Sequence, residues 1–138
     1  MTIKDGYPFP RIEEIFTSLH KAYCLQALDL LMGYHQIPVR EEDRPKNAFI
    51  TPKGLYLFKV MRFGLGNAPS TFQSLMDGIF RHEIGKDLAV YLDDLLMYAL
   101  RHAEMLPILD RTLGQLIEAG LKCKSRKWQI FPDSIQYL

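Results

Sequence analysis

Cysteine is scarce in this chain. Cys24 and Cys123 are the only two, far apart and with no histidine beside them at metal-ligand spacing. That argues against a zinc site and against a secreted disulfide scaffold. Long apolar runs are missing too: nothing approaches the ~18 uncharged residues of a membrane span. The opening stretch MTIKDGYPFPRIEE is polar and lacks an apolar h-region, so no signal peptide is expected. Charge of one sign is also lacking, with a net charge of +1. Such a balance excludes no partner, because a nearly neutral domain can still carry a local basic groove. No internal repeat, low-complexity tract or Gly/Ser-rich linker divides the sequence. What remains is one domain's worth of chain, 138 residues, 48% apolar and 24% charged. It is long enough to bury a core and is expected to be intracellular.

Hydrophobic periodicity outlines the elements. After Pro10, residues Ile12, Ile15, Phe16 and Leu19 recur at helical spacing and predict a short amphipathic helix. AYCLQALDL (22–30) reads as a buried strand. NAFI and LYLFKV flank TPKG, whose proline and glycine suit positions i+1 and i+3 of a type I turn, so a hairpin is expected. GLGNAPSTFQSLMDGIFRH predicts a helix with Asn67 as N-cap, Pro69 in its first turn, and Phe72, Leu75, Met76, Ile79 and Phe80 on one apolar face. A further helix should turn Leu106, Leu109, Leu113, Leu116 and Ile117 inward and end at Gly120, with Pro107 tolerable only in its first turn. LKCKSRKWQIF and SIQYL read as closing strands. Helices and strands interleave with hairpins rather than as βαβ repeats, which predicts an α+β fold.

One stretch breaks its own pattern. In LAVYLDDLLMYAL (88–100), eleven of the thirteen residues are apolar or aromatic, and the other two are the adjacent Asp93 and Asp94. Strand neighbours point to opposite faces, so the pair belongs at the tip of a hairpin. Tight hairpin turns favour Asn-Gly or Asp-Gly, yet this one has no glycine. Two ionised carboxylates side by side repel unless a cation lies between them, and Mg²⁺ takes carboxylates plus substrate phosphates. The alternative is a solvated turn. Asp29 ends another apolar run, CLQALDLLMGYHQIPV; it either caps a turn or brings a third carboxylate to the same sheet edge. Three carboxylates there would suit two metals in a phosphoryl transfer.

The ordered set LDLLMGYHQIPVREEDRPKNAFITPKGLYLFKVMRFGLGNAPSTFQSLMD, YLDDLL and EAGLK closely resembles the reverse transcriptases of gypsy-type LTR retrotransposons. It is more distantly similar to retroviral reverse transcriptases. The resemblance spans almost the whole chain. It implies a polymerase palm, an antiparallel sheet backed by helices on one face, with a projecting fingers β-hairpin. The palm would take 1–36 and 67–138 of a single partial domain, and the hairpin about 37–66. It further implies RNA-directed DNA synthesis by two-metal nucleotidyl transfer from a dNTP to a primer 3′-hydroxyl. Asp29, Asp93 and Asp94 would be catalytic and, with the backbone carbonyl of Leu30, would hold two Mg²⁺ ions, Mn²⁺ serving as well.

The same resemblance places Met32, Gly33, Tyr34 and Phe63 at the incoming nucleotide, Tyr34 as the aromatic gate that excludes a ribose 2′-hydroxyl. Glycine at position 33 would permit close approach. Gly64, Asn67, Pro69, Gln73 and Tyr91 would meet the primer–template. Read without the family, the 67–80 segment is a well-capped amphipathic helix and Tyr34 a core or interface tyrosine. The basic run Lys122, Lys124, Arg126 and Lys127 would meet phosphates or simply edge a solvated strand. Implied partners are an RNA or DNA template with its primer, dNTP, and the fingers, thumb and RNase H regions of a longer polyprotein, in cytoplasmic virus-like particles. The chain departs from the family at Arg62, usually proline, at Met32, usually small and polar, and at Trp128, commonly cysteine. With the flanking grips outside these 138 residues, little synthesis is expected of them alone. The other expectation is a non-catalytic remnant of such a palm, serving as an interaction or nucleic-acid-binding module.

Overall fold

The computed structural model describes residues 6–20 and 22–128. Near-continuous apolar strands build its centre, β4 and β5 being buried on both faces. β1 (Cys24–Asp29), β4 (Leu88–Tyr91) and β5 (Asp94–Ala99) form an antiparallel sheet in the order β1-β5-β4. One face buries Cys24, Leu28, Leu88, Val90, Leu95 and Met97 against two helices. These are α2 (Ala68–Ile79), which supplies Phe72 and Met76 and is followed by Phe80, and α3 (His102–Glu118), which supplies Met105, Ile108 and Leu116. Each such side chain removed from water contributes about 1.5–3 kcal/mol. The expected α+β architecture, an antiparallel sheet backed by helices, is what forms. The opposite face is not bare: α1 (Ile12–Leu19) sets Ile15 against Ala89, Leu96 and Tyr98. Glu13 and Glu14 in its first turn suit the positive end of the helix dipole.

Between β1 and α2 the chain leaves the sheet and returns. Residues 37–39 run beside 59–61: the Val39 N–H donates to the Lys59 carbonyl (2.9 Å) and the Met61 N–H to the Ile37 carbonyl (2.8 Å). Beyond this stem lie a 3₁₀ segment, Glu41–Asn47, and a two-stranded hairpin of β2 (Ala48–Thr51) and β3 (Gly54–Leu57). Pro52 and Lys53 form its loop, as the TPKG signal predicts. The Thr51 hydroxyl accepts the Lys53 N–H (3.2 Å) and donates to the Gly54 carbonyl (3.0 Å).

Several expectations need correction. The buried stripe of α3 is Met105, Ile108, Thr112 and Leu116, whereas Leu106 (62% exposed) and Ile117 (77%) face outward. α3 begins at His102, so Pro107 lies past the first turn and leaves the Ala103 carbonyl without a helical donor. On α2, Leu75 is exposed, and on α1 Phe16 is exposed. The stretch 121–128 is not a strand. It makes a single antiparallel bridge, Cys123 to Leu30, and then a 3₁₀ turn, Ser125–Lys127. The rest of LKCKSRKWQIF and all of SIQYL lie outside the described residues.

Candidate active site

The register of β1 on β5 does the assembling. Asp29, last in β1, is the direct partner of Asp94, first in β5. The Leu30 N–H donates to the Asp93 carbonyl (3.0 Å). Residues 30 and 93 therefore form the hydrogen-bonded pair, and 29 and 94 the non-hydrogen-bonded kind, whose side chains lie closer together. Asp93 occupies the two-residue loop Leu92–Asp93 between paired Tyr91 and Asp94. All three aspartates are half-buried at one end of the sheet. Like charges directly opposite one another destabilise a sheet, so the register carries a conflict that packing does not explain.

Backbone contacts hold this end together. The Lys124 N–H donates to the Asp29 carbonyl (2.8 Å) and the Leu31 N–H to the Lys122 carbonyl (2.8 Å). Gln36 stitches the same place, its Nε2 donating to the carbonyls of Leu31 (2.7 Å) and Lys122 (2.9 Å) and its Oε1 accepting the Lys122 N–H (2.7 Å). The half-buried Cys123 thiol is pushed up from its ordinary range by burial, and further by the Asp29 carboxylate nearby. Lys122, Lys124 and Arg126 are exposed.

Gly33 lies at the floor of the site. A Cβ there would come within 2.9 Å of Phe72 Cζ and 3.1 Å of Asp93 Cβ, so only glycine fits without displacement. Met32 beside it adopts φ 49° and is exposed. The Tyr34 ring makes edge contacts with Phe63 (5.0 Å) and Phe72 (5.3 Å). Burial, then the Asp93 carboxylate, raises its hydroxyl pKa. The structure thus brings Asp29, Asp93, Asp94, Leu30, Gly33, Tyr34 and Phe63 together. His35 adds an edge contact to Phe63 (5.5 Å). Arg62 lies over the Phe58 ring, 5.7 Å from its centroid.

The helix side differs from expectation in part. Asn67 occupies the N-cap position of α2 without a side-chain cap bond, its carbonyl accepting the Thr71 N–H (2.9 Å). Pro69 is the second residue of the helix, and Gly64, at φ 86°, is exposed. Tyr91 is half-buried, its ring 6.4 Å from that of Phe9. Gln73, expected to meet primer–template, is fully buried. It bonds the hairpin instead: its Oε1 accepts the Leu92 N–H (2.8 Å) and its Nε2 reaches the Val90 carbonyl (3.3 Å). Gln36 and Gln73 are the residues sequence reasoning missed in these roles. For Gln73 the available signal was its place inside the buried stripe, between Phe72 and Met76.

The donor set, three carboxylates and backbone oxygen, suits a hard divalent cation rather than a soft one. Among the described residues, no group of three or more His, Cys, Asp or Glu is arranged so that it could hold a metal ion. The fit to Mg²⁺ rests on the chemistry of the donors.

An antiparallel sheet with carboxylates at one end and two helices behind it defines a polymerase-palm fold, and solved structures share it. The foamy viral protease–reverse transcriptase in complex with RNA/DNA hybrid superposes with a TM-score of 0.89 at 21% identity, over 99% of this chain and 18% of that one. A second form of that protein, in complex with double-stranded DNA, gives 0.91 over 100% and 24%. Residues 1–138 match the family described as reverse transcriptase (RNA-dependent DNA polymerase), and the chain belongs to that family. Its relatives include the retrovirus-related Pol polyprotein from transposon gypsy of Drosophila melanogaster, 39% identical over 99% of this chain and 13% of the polyprotein. An RNA-directed DNA polymerase homolog of Oenothera berteroana is 40% identical over 72% of this chain and 70% of its own length. The chain thus spans a small part of the Pol polyproteins it matches. Among the described residues, no helix is long and apolar enough to cross a membrane.

Proposed function

We propose that this segment is the catalytic palm of an RNA-directed DNA polymerase of a retroelement Pol polyprotein, with residues about 37–66 as its fingers hairpin. The observation that carries the reading is the direct pairing of Asp29 with Asp94, with Asp93 in the adjoining turn. In this reading the three carboxylates and the Leu30 carbonyl hold two Mg²⁺ ions, which when bound acidify the primer 3′-hydroxyl and neutralise the triphosphate.

The chain's own residues do the rest. Gly33, lacking a Cβ, lets nucleotide phosphates approach the backbone beside exposed Met32. The Tyr34 ring, braced by Phe63 and Phe72, leaves no room under the sugar for a 2′-hydroxyl. Gly64, Asn67, Pro69 and Tyr91 lie where primer and template would pass, and Gln73 serves them from behind the hairpin. The template–primer, the dNTP, and the fingers, thumb and RNase H regions of a longer polyprotein are the partners this reading requires, in a cytoplasmic particle.

Primer extension on an RNA template with Mg²⁺, using this segment within its longer polyprotein-derived enzyme, tests the reading. Synthesis is expected, and it should vanish when Asp93→Asn and Asp94→Asn are combined. Undiminished synthesis by that double variant would overturn the assignment.

A further inference from the structure

The turn that presents Asp93 is not one its own residues favour. Leu92 adopts φ 54°, a left-handed conformation that costs a non-glycine residue roughly 1–2 kcal/mol. Such a conformation persists only where surrounding groups enforce it. Here one side chain grips both arms of the turn: Gln73 accepts from the Leu92 N–H and donates to the Val90 carbonyl. An amide can sit either way round, and its sense must be fixed by its neighbours. Asp77, one helical turn on, does this by accepting the Gln73 Nε2 proton at 2.9 Å. Reversed, the amide would set oxygen against the Asp77 carboxylate and NH₂ against the Leu92 N–H. Asp77 is anchored in turn by Tyr7, seventy residues earlier, whose hydroxyl donates to its other oxygen at 2.5 Å. That bond is also the main reason the Tyr7 hydroxyl titrates above its ordinary value.

We infer that Tyr7, Asp77 and Gln73 form a positioning relay that sets the Leu92–Asp93 turn, and with it the two hairpin carboxylates, for turnover rather than for substrate binding. The inference rests on the polymerase reading above. None of the three residues reaches the reacting groups in this role. They act through the backbone at Val90 and Leu92, and a misplacement near 1 Å at a reacting group can lower a rate by about 10²-fold.

The experiment reverses the polarity of the relay in the longer polymerase that contains this segment. Gln73→Glu keeps the acceptor for Leu92 but sets a carboxylate against Asp77 and the Val90 carbonyl. Adding Asp77→Asn gives the carboxylate introduced at position 73 a donor again. Steady-state kcat and KM for dNTP are measured per active site, counted from the pre-steady-state burst, with Leu92 amide exchange followed in parallel. Gln73→Glu should lower kcat between about tenfold and 10²-fold with KM little changed, and should speed Leu92 exchange. The double variant should recover most of both losses. Tyr7→Phe should give a smaller fall in kcat.

A normal kcat per active site in Gln73→Glu, or a double variant no better than the single, overturns the relay. A loss confined to melting temperature and active fraction overturns it as well. Asp93→Asn assayed alongside separates the two claims. If it retains synthesis, the polymerase reading falls, whereas loss in Asp93→Asn with a normal Gln73→Glu sinks only the relay.

Discussion

Among the described residues, two hairpins have two-residue loops, and they are stabilised in opposite ways. In β2–β3 the loop is Pro52–Lys53, Gly54 takes φ 135°, and the Thr51 hydroxyl bonds across the turn. Its central apolar pair, Ile50 with Leu55, stands 85% and 65% exposed. In β4–β5 the loop is Leu92–Asp93, with no glycine and a leucine in the left-handed region. Its corresponding pair, Val90 with Leu95, is buried. The first hairpin closes on local turn chemistry and has little cover. The second has its turn imposed by α2 and by the strand beside it. Freed from supplying its own turn signal, the second hairpin can do without the glycine that the positive φ at Leu92 would favour, and can carry a carboxylate at the next position.

That contrast can be broken at several points. The largest effect should come from Asp93→Asn or Asp94→Asn. Under the two-metal reading proposed above, losing one carboxylate from a centre worth several kcal/mol of transition-state stabilisation should lower primer extension by about 10³-fold or more. Without divalent ions, Asp94→Asn should also raise stability by about 0.2–1 kcal/mol by removing like charge opposite Asp29. Urea melts with and without Mg²⁺ would read this second effect. Opposite signs for activity and stability would mark the carboxylates as placed for chemistry.

The next contrast is one of cover. Phe72→Ala, beneath the carboxylate hairpin, should cost about 3–5 kcal/mol, whereas Ile50→Ala should change stability by less than about 0.5 kcal/mol. Equal costs in chemical denaturation would mean that β2–β3 is covered as well as β4–β5 is. Gly33→Ala should cost about 1–3 kcal/mol through overpacking against Phe72 and Asp93, with primer extension falling more than the fraction unfolded accounts for. Gly54→Ala should cost a similar amount through its φ of 135°, yet leave the geometry of the carboxylate end untouched.

The smallest effect concerns a reporter thiol. In a Cys24→Ala background, Asp29→Asn removes a charge that opposes the Cys123 thiolate. The thiol pKa should fall, and alkylation near pH 8 should speed roughly two- to fivefold. Binding of Mg²⁺ by the unaltered site should act in the same direction. A slower reaction would place Asp29 elsewhere than beside Cys123.

Much of this was legible in the sequence because β1, β4 and β5 are near-continuous apolar runs and the three aspartates interrupt them. The β2–β3 hairpin was legible because TPKG carries its own turn chemistry. α3 was legible as a helix ending before Gly120, but its buried stripe was only partly so, because leucines and isoleucines occur all round it. Only contact with the sheet decides that Met105, Ile108, Thr112 and Leu116 face inward, so periodicity alone chose a stripe that includes the exposed Leu106 and Ile117. The segment from 121 read as strand because LKCK alternates, yet it meets the sheet through one bridge, with Gln36 bonded beside it. Gln73 looked like a surface residue of a nucleic-acid-binding helix. Its place between Phe72 and Met76 marks it as buried, whereas the backbone demand at Leu92 that it meets has no local signature.

Gln73 also bears on how the sheet avoids its own kind. Backbone groups along an outer strand are a template on which a foreign strand can add. On β4 the outward carbonyls are those of Leu88 and Val90, since the Tyr98 N–H to Asp87 carbonyl bond sets the alternation. The first is taken by the Gly85 N–H at 3.0 Å and the second by Gln73. On β1 the Asp29 carbonyl is taken by Lys124. Both rims of the sheet are thereby plugged near the carboxylates, by a side chain and by returning main chain rather than by added strands. Rims left open beside the three aspartates would offer foreign strands a template on which to add.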